Sequence, residues 1–281
     1  MGSRVLVPYD GSEGAQYALS HALHVFDPVA VSLLYVAEPA DDNAAQGSDS
    51  ERSETGQELL EAARRRYDPP DRGRIEPVVR DGRPVHEILG CIDDSGIDHV
   101  VVGSQVRNGA TQLLLGSVAE AVVRRSPVPV TVVREPTAKT PPGRVLVPFD
   151  ASGRARDALT AAFDLFPEAG VTALYVSTLS AVQEETEAIL GALGSGDDNR
   201  QDHTESVLGT AKELATARGR TLGTESVTGD PATAIVEYAG DRAVDHIVVG
   251  PTERDGITRL LLGSVAETVV RRSPVTTTIT T

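Results

Sequence analysis

The sequence predicts an α/β protein built twice: two tandem domains, each a five-stranded, doubly wound parallel sheet with helices on both faces. Three observations predict it. The stretch Leu113–Val128 (Leu-Leu-Leu-Gly-Ser-Val-Ala-Glu-Ala-Val-Val-Arg-Arg-Ser-Pro-Val) returns at Leu260–Val275 with one change, Thr268 for Ala121. The opening run Arg4-Val-Leu-Val-Pro8 returns at Arg144–Pro148. Between these landmarks short valine-rich runs alternate with helical patterns, as in strands joined by crossover helices. The 281 residues are about twice a common domain length of ~100–150.

The elements follow in order. Arg4–Pro8 is a buried-strand run ended by proline, and Tyr9-Asp10-Gly11-Ser12-Glu13 is a turn that starts a helix. Ala15 to Phe26 carries apolar residues at helical spacing. Val31–Val36 reads as a second strand, Glu38–Ser53 as an acidic loop without periodicity, and Glu54–Tyr67 as a second helix. Ile75–Val79 is a third strand; Asp81-Gly82-Arg83-Pro84 then opens a third helix, proline being suited to the first turn. Asp98–Gly103 carries the fourth strand. The helix after it is expected to start at Ser117, because Ser117 and Glu120 have capping-box spacing, and to end near Ser126-Pro127. Pro129–Val133 is the fifth strand. A proline-containing linker, 135–143, separates a first domain at 1–134 from a second at 144–281.

The second domain repeats the order. Asp150 and Ser152 match Asp10 and Ser12, Leu174–Val176 matches Leu34–Val36, Gly229 and Pro231 match Gly82 and Pro84, and Asp245–Gly250 matches Asp98–Gly103. Ser264 and Glu267 repeat the capping-box pair. The offset is 140 at the front and 147 at the back, which places the added residues in the long Ser177–Thr204 loop. Parallel sheets of this kind bind ligands beyond the carboxyl ends of their strands, where the strand order reverses. Asp10, Val36 and Gly103, with Asp150, Val176 and Gly250, lie at such ends. The mouths of the Ser117 and Ser264 helices, each preceded by a glycine (Gly116, Gly263), carry unpaired N–H groups and suit an anion.

Composition narrows the function classes. A net charge of −15 argues against a nucleic-acid partner, which needs clustered Lys and Arg. Lys139 and Lys212 are the only lysines; an acidic surface nearly free of lysine resembles proteins of salt-loving organisms, whose self-repulsion salt screens. No apolar run reaches the ~18 residues of a membrane span, and the N-terminus has no signal-peptide pattern, so the expected place is the cytoplasm. Cys91 is the only cysteine and reads as a small buried hydrophobe. No histidine pair has metal-ligand spacing. No Ser-His-Asp or Cys-His arrangement and no Gly-x4-Gly-Lys-Ser/Thr loop is present, so no catalytic residues are assigned and the chain is not expected to be an enzyme; a slow ATPase is the weakest reading.

Val-Pro-Tyr-Asp-Gly-Ser-Glu at the front, Val-Val-Val-Gly-Ser before a loop, and the long closing segment resemble the universal stress protein family, over essentially the whole chain and twice. The resemblance implies a Rossmann-like five-stranded fold in each half. It also implies antiparallel pairing of the last strands, here within the chain, with Pro129–Val133 beside Val275–Thr280, and leaves a further homodimer open. ATP or another adenine nucleotide is the implied ligand. Asp10 and Asp150 would contact adenine and ribose; the alternative for both is an Asx turn or helix cap. Val36 and Val176 would lay backbone against adenine, or are plain strand core. Pro8 and Tyr9, and Val118 and Val265 after the two serines, complete the implied site. ATP-binding members share a loop of glycine, two residues, glycine, nine residues, Gly-Ser. The halves match it at Gly103, Gly116, Ser117 and at Gly250, Gly263, Ser264, but hold Val106 and Glu253 in place of the middle glycine. Valine tolerates positive φ poorly and glutamate repels phosphate, so the first crevice is expected to be the better nucleotide site. Arg107 and Arg254 read as solvated surface that could meet phosphate, and Arg124-Arg125 and Arg271-Arg272 as complements to helix C-termini. The competing reading is a protein-interaction scaffold that has lost nucleotide.

Overall fold

The structure is a computed structural model and describes residues 4–26, 30–39, 49–67, 74–104, 115–134, 141–178, 196–250 and 263–281. Val106, Arg107, Glu253 and Arg254 lie outside these residues. The first half runs β1 (Arg4–Pro8), α1 (Glu13–Val25), β2 (Ala30–Ala37), α2 (Asp49–Tyr67), β3 (Ile75–Asp81), α3 (Pro84–Ser95), β4 (His99–Gly103), α4 (Ser117–Arg125) and β5 (Val130–Val133). The second runs β6 (Arg144–Pro148), α5 (Gly153–Leu165), β7 (Gly170–Ser177), α6 (Gly196–Ala217), β8 (Gly223–Thr228), α7 (Pro231–Asp241), β9 (His246–Val249), α8 (Ser264–Arg272) and β10 (Thr276–Ile279).

All ten strands join one sheet, in the order β3-β2-β1-β4-β5-β10-β9-β6-β7-β8. Pairing is parallel inside each half and antiparallel only at the centre, where Thr278 sits opposite Thr131 and Ile279 opposite Val130. The last strands of the two repeats therefore close the halves into an intramolecular pair, as the resemblance implied. Valine, leucine and isoleucine dominate β1, β4, β6 and β9 because their strands are covered on both faces. One face carries α3, α4, α7 and α8 over a core shared by both halves, in which Val122, Val123 and Ile88 join Val269, Val270 and Ile235. The other face carries two separate cores, one under α1 and α2 around Leu19 and Leu60, the other under α5 and α6 around Leu159 and Ala211.

Several sequence expectations need correction. Helix α2 begins at Asp49 and α6 at Gly196, so the acidic stretches before Ser53 and Thr204 end in helix. Residues 49–53 and 196–204 contain no apolar residue, which removes the apolar period a sequence reading depends on. Ser117 and Ser264 are not N-caps. Gly116 and Gly263 take that position, with no side-chain cap bond, and their carbonyls accept from Glu120 N and Glu267 N at 2.8 Å. Both serines are the first helical residues, one step too late to cap. The two glutamates reach forward to arginine: Arg124 Nη2 donates to Glu120 Oε1 at 3.2 Å and to Glu267 Oε1 at 2.6 Å, the latter across the halves. The serine caps are Ser12 and Ser152, which accept from Ala15 N and Ala155 N.

Candidate nucleotide crevices

In each half the strand order reverses between the first and fourth strands, β1 and β4 or β6 and β9, and a crevice opens at their carboxyl ends, as expected for this topology. The first has a volume of about 450 Å³, inside the ~300–1,000 Å³ usual for small-molecule sites. β1 and the turn after it deliver Pro8, Tyr9 and Asp10, β2 delivers Val36, β4 delivers Gly103, and the mouth of α4 delivers Gly116, Ser117 and Val118. Every first-half residue assigned from sequence and described here lines one space. The starts of α1 and α3 add Ser12, Gly14, Pro84 and Ile88, and β2 and its exit add Tyr35 and Glu38. Sequence reasoning missed these six. Only Gly14 gave a signal, a glycine in the first turn of a helix.

The second crevice, about 890 Å³, gathers Asp150, Val176, Gly250 and Val265, together with Phe149, Arg154 and His203. Gly263 and Ser264 head α8 but do not line it. The two spaces differ most where Gly14 is replaced by Arg154. Glu13, Glu38 and Asp10 bring carboxylates to the first crevice; the second is lined by Arg154 as well as by Asp150 and Asp157.

Asp10 and Asp150 each bend into an Asx turn. One carboxylate oxygen accepts from Ser12 N or Ser152 N at 3.0 Å, and both residues are exposed. The turn uses one oxygen of each carboxylate. Tyr9 lies against the crevice, and burial, then the neighbouring Tyr67, pushes its hydroxyl pKa above the ordinary value, so the hydroxyl is neutral at physiological pH. Gly103 has a packing reason to be glycine: a methyl group there would overlap the backbone of Gly14. At Gly250 the same methyl would lie 2.6 Å from Arg154 O. These glycines let α1 and α5 approach the sheet, whatever the loop beyond them does. Among the described residues no group of three His, Cys, Asp or Glu is placed to hold a metal ion, and no helix is long and apolar enough to cross a membrane.

The family model described as the universal stress protein family matches residues 1–134 and again 142–281. The chain belongs to the universal stress protein family. Among named members it is 33% identical over 135 residues to universal stress protein MJ0531 of Methanocaldococcus jannaschii, a match covering 46% of this chain and 76% of that one. It is 29% identical over 150 residues to universal stress protein YxiE of Bacillus subtilis, covering 48% of this chain and 100% of the other. A universal stress protein of Archaeoglobus fulgidus superposes with a TM-score of 0.75 at 24% identity, covering 99% of this chain and 97% of its own, which shows that the tandem architecture is shared at the level of fold.

Proposed function

We propose that this tandem universal stress protein is a binding and regulatory module of the stress response, with an adenine nucleotide such as ATP seated in the first crevice. The observation that carries the reading is the convergence of Tyr9, Asp10, Val36, Gly103, Ser117 and Val118 on one 450 Å³ space. Val36, Ile88 and Val118 offer an apolar slot for a base. The second carboxylate oxygen of Asp10, beyond the one that accepts from Ser12 N, suits a ribose hydroxyl. The amides of Gly116, Ser117 and Val118 precede the first intrahelical bond of α4 and face the place a phosphate would take.

A second reading has its own support. Glu13 and Glu38 line the same crevice, and no cationic side chain does among the described residues. Two unit charges ~4 Å apart repel by about 4 kcal/mol near a protein surface, more than the ~0.3–1 kcal/mol a helix mouth returns. That balance favours a ligand with few phosphates, or a scaffold that works by protein contact alone.

Titration calorimetry with ATP, AMP and adenosine in molar salt separates them. Nucleotide binding predicts heat that Val36→Trp abolishes and Val176→Trp leaves. Tighter binding of AMP or adenosine than of ATP marks the crevice as selective against charge. No heat from any of the three removes the nucleotide reading in favour of the scaffold.

A further inference from the structure

Four buried side chains form one hydrogen-bonded chain across the centre of the sheet. His99 Nε2 lies 2.8 Å from Thr131 Oγ1, Thr131 Oγ1 lies 2.6 Å from Thr278 Oγ1, and Thr278 Oγ1 lies 2.8 Å from His246 Nε2. None is more than 4% exposed. Thr131 and Thr278 are register partners in the β5–β10 pair, so the chain starts in one half and ends in the other. Rings enclose it: Phe26 lies 4.6 Å from His99, Phe166 lies 4.6 Å from His246, and His21 stacks on His246 at 6.0 Å.

The hydrogens can be counted. A threonine hydroxyl brings one hydrogen and two lone pairs; a neutral imidazole has one donor nitrogen and one acceptor. Three links need three hydrogens, and the two hydroxyls supply two. If neither Nε2 carried a hydrogen, the two would be spent on the histidines and the hydroxyl oxygens would face each other at 2.6 Å with nothing between. If both carried one, a hydroxyl hydrogen would be left over in a dry core, at a cost comparable to any unmet buried donor. One donor and one acceptor fill all three links and leave no hydroxyl hydrogen over.

We infer that His99 and His246, equivalent by the repeat, are held in opposite tautomers, and that this polarised chain is a latch between the halves that closes only while both rings are neutral. A proton added to the accepting ring turns its Nε2 into a donor, orphans a threonine hydroxyl and places a charge in the seam. The surroundings offer that charge little. From α1 the facing titratable group is His21, whose two nitrogens have no partner among the described residues; Glu13 and His24 on the same helix are exposed. From α5, Asp157 and Asp164 are exposed and Phe166 faces the seam. Asp98 precedes His99 and opposes part of the burial effect on it; Asp245, its equivalent, is engaged by the amides of Gly143 and Arg144. β5 and β10 supply only threonine and apolar residues. Consistent with this, burial lowers the His99 pKa to about 4 and that of His246 well below the ordinary value.

Histidine-selective ¹⁵N labelling tests the tautomers on the wild-type chain. Long-range proton–nitrogen spectra at neutral pH are expected to show a protonated Nε2 on one of His99 and His246 and a protonated Nδ1 on the other. The same tautomer on both overturns the inference. Thr131→Ser should preserve the opposed pattern and Thr131→Val should lose it; a pattern unchanged in Thr131→Val also overturns it. On acidification, amides of β5 and β10 should lose exchange protection at higher pH than those of β1 and β6. Simultaneous loss, or loss at β1 and β6 first, overturns the latch.

Discussion

Ala151 is the clearest single-residue departure between the repeats. Gly11 takes φ +80° in the turn after β1, and its equivalent Ala151 takes φ +62°. A side chain in the left-handed region costs roughly 1–2 kcal/mol. Ala151→Gly should therefore raise unfolding free energy by about 1 kcal/mol, less the entropy that glycine adds to the unfolded chain, read as a higher urea midpoint at unchanged slope. His21 is a second residue-scale case. It is buried with both ring nitrogens unpartnered among the described residues, and burial, then His99, lowers its pKa to about 3. A buried polar group without a partner costs about 1–3 kcal/mol, so His21→Leu should stabilise the fold. A loss of stability on that substitution would show that His21 contributes more by packing than it costs by polarity. Arg134 is buried too. Its guanidinium donates to Val270 O in the last turn of α8, and burial lowers its pKa to about 10, so it stays charged and complements the negative helix end.

At the scale of elements, the serines that look alike in sequence do different things. Ser12 accepts from Ala15 N at 3.3 Å and caps α1; Ser117 heads α4 without capping it. Losing a serine cap costs about 1 kcal/mol. Ser12→Ala should cost that much in a denaturant titration, and Ser117→Ala much less. If Ser117→Ala nevertheless abolishes nucleotide heat, its hydroxyl meets ligand, not backbone. The two glutamates at capping-box spacing tie helices instead. Arg124 bridges Glu120 and Glu267 between the halves, with side chains a quarter to just over a third exposed. Partly exposed pairs of this kind contribute at most ~1 kcal/mol. The shared apolar core under α3, α4, α7 and α8 therefore carries most of the union of the halves.

At the scale of the whole molecule, two charge effects set the conditions of stability. The first is acid. His21 and His99, with pKa values lowered to about 3 and about 4, and His246, also lowered, bind fewer protons folded than unfolded. Stability rises with pH wherever the unfolded chain binds more protons. Their contribution is thus fully present above the unfolded histidine value of about 6.5 and is lost progressively as pH falls toward 4. Denaturation midpoints should begin to drop below about pH 6.5, before the carboxylate range, and His21→Leu should make that drop shallower. The second is salt. A chain of net charge −15 repels itself, and raising salt from about 0.1 M to 1 M shortens the Debye length from ~10 to ~3 Å. Its thermal midpoint should rise over that range; a fall would remove the salt-adapted reading of its composition.

Sequence alone specifies the repeat, the strand-helix alternation and the family, because these depend on local periodicity and on segments copied almost unchanged. It also named the strand ends that meet in the first crevice, since chain order and the parallel topology leave few places for them. It misplaced the starts of α2 and α6, where acidic stretches carry no apolar period, and it read Ser117 and Ser264 as caps, because a one-residue shift in a helix start leaves the spacing intact. What distant residues do together emerges only in the folded chain: Gly103 against Gly14, Arg154 in the second crevice, Arg124 with Glu267, and the imidazole–threonine chain at the centre. Such pairs join residues up to 147 positions apart, and their energetics depend on burial and hydrogen-bond partners that exist only once the two halves have closed on each other.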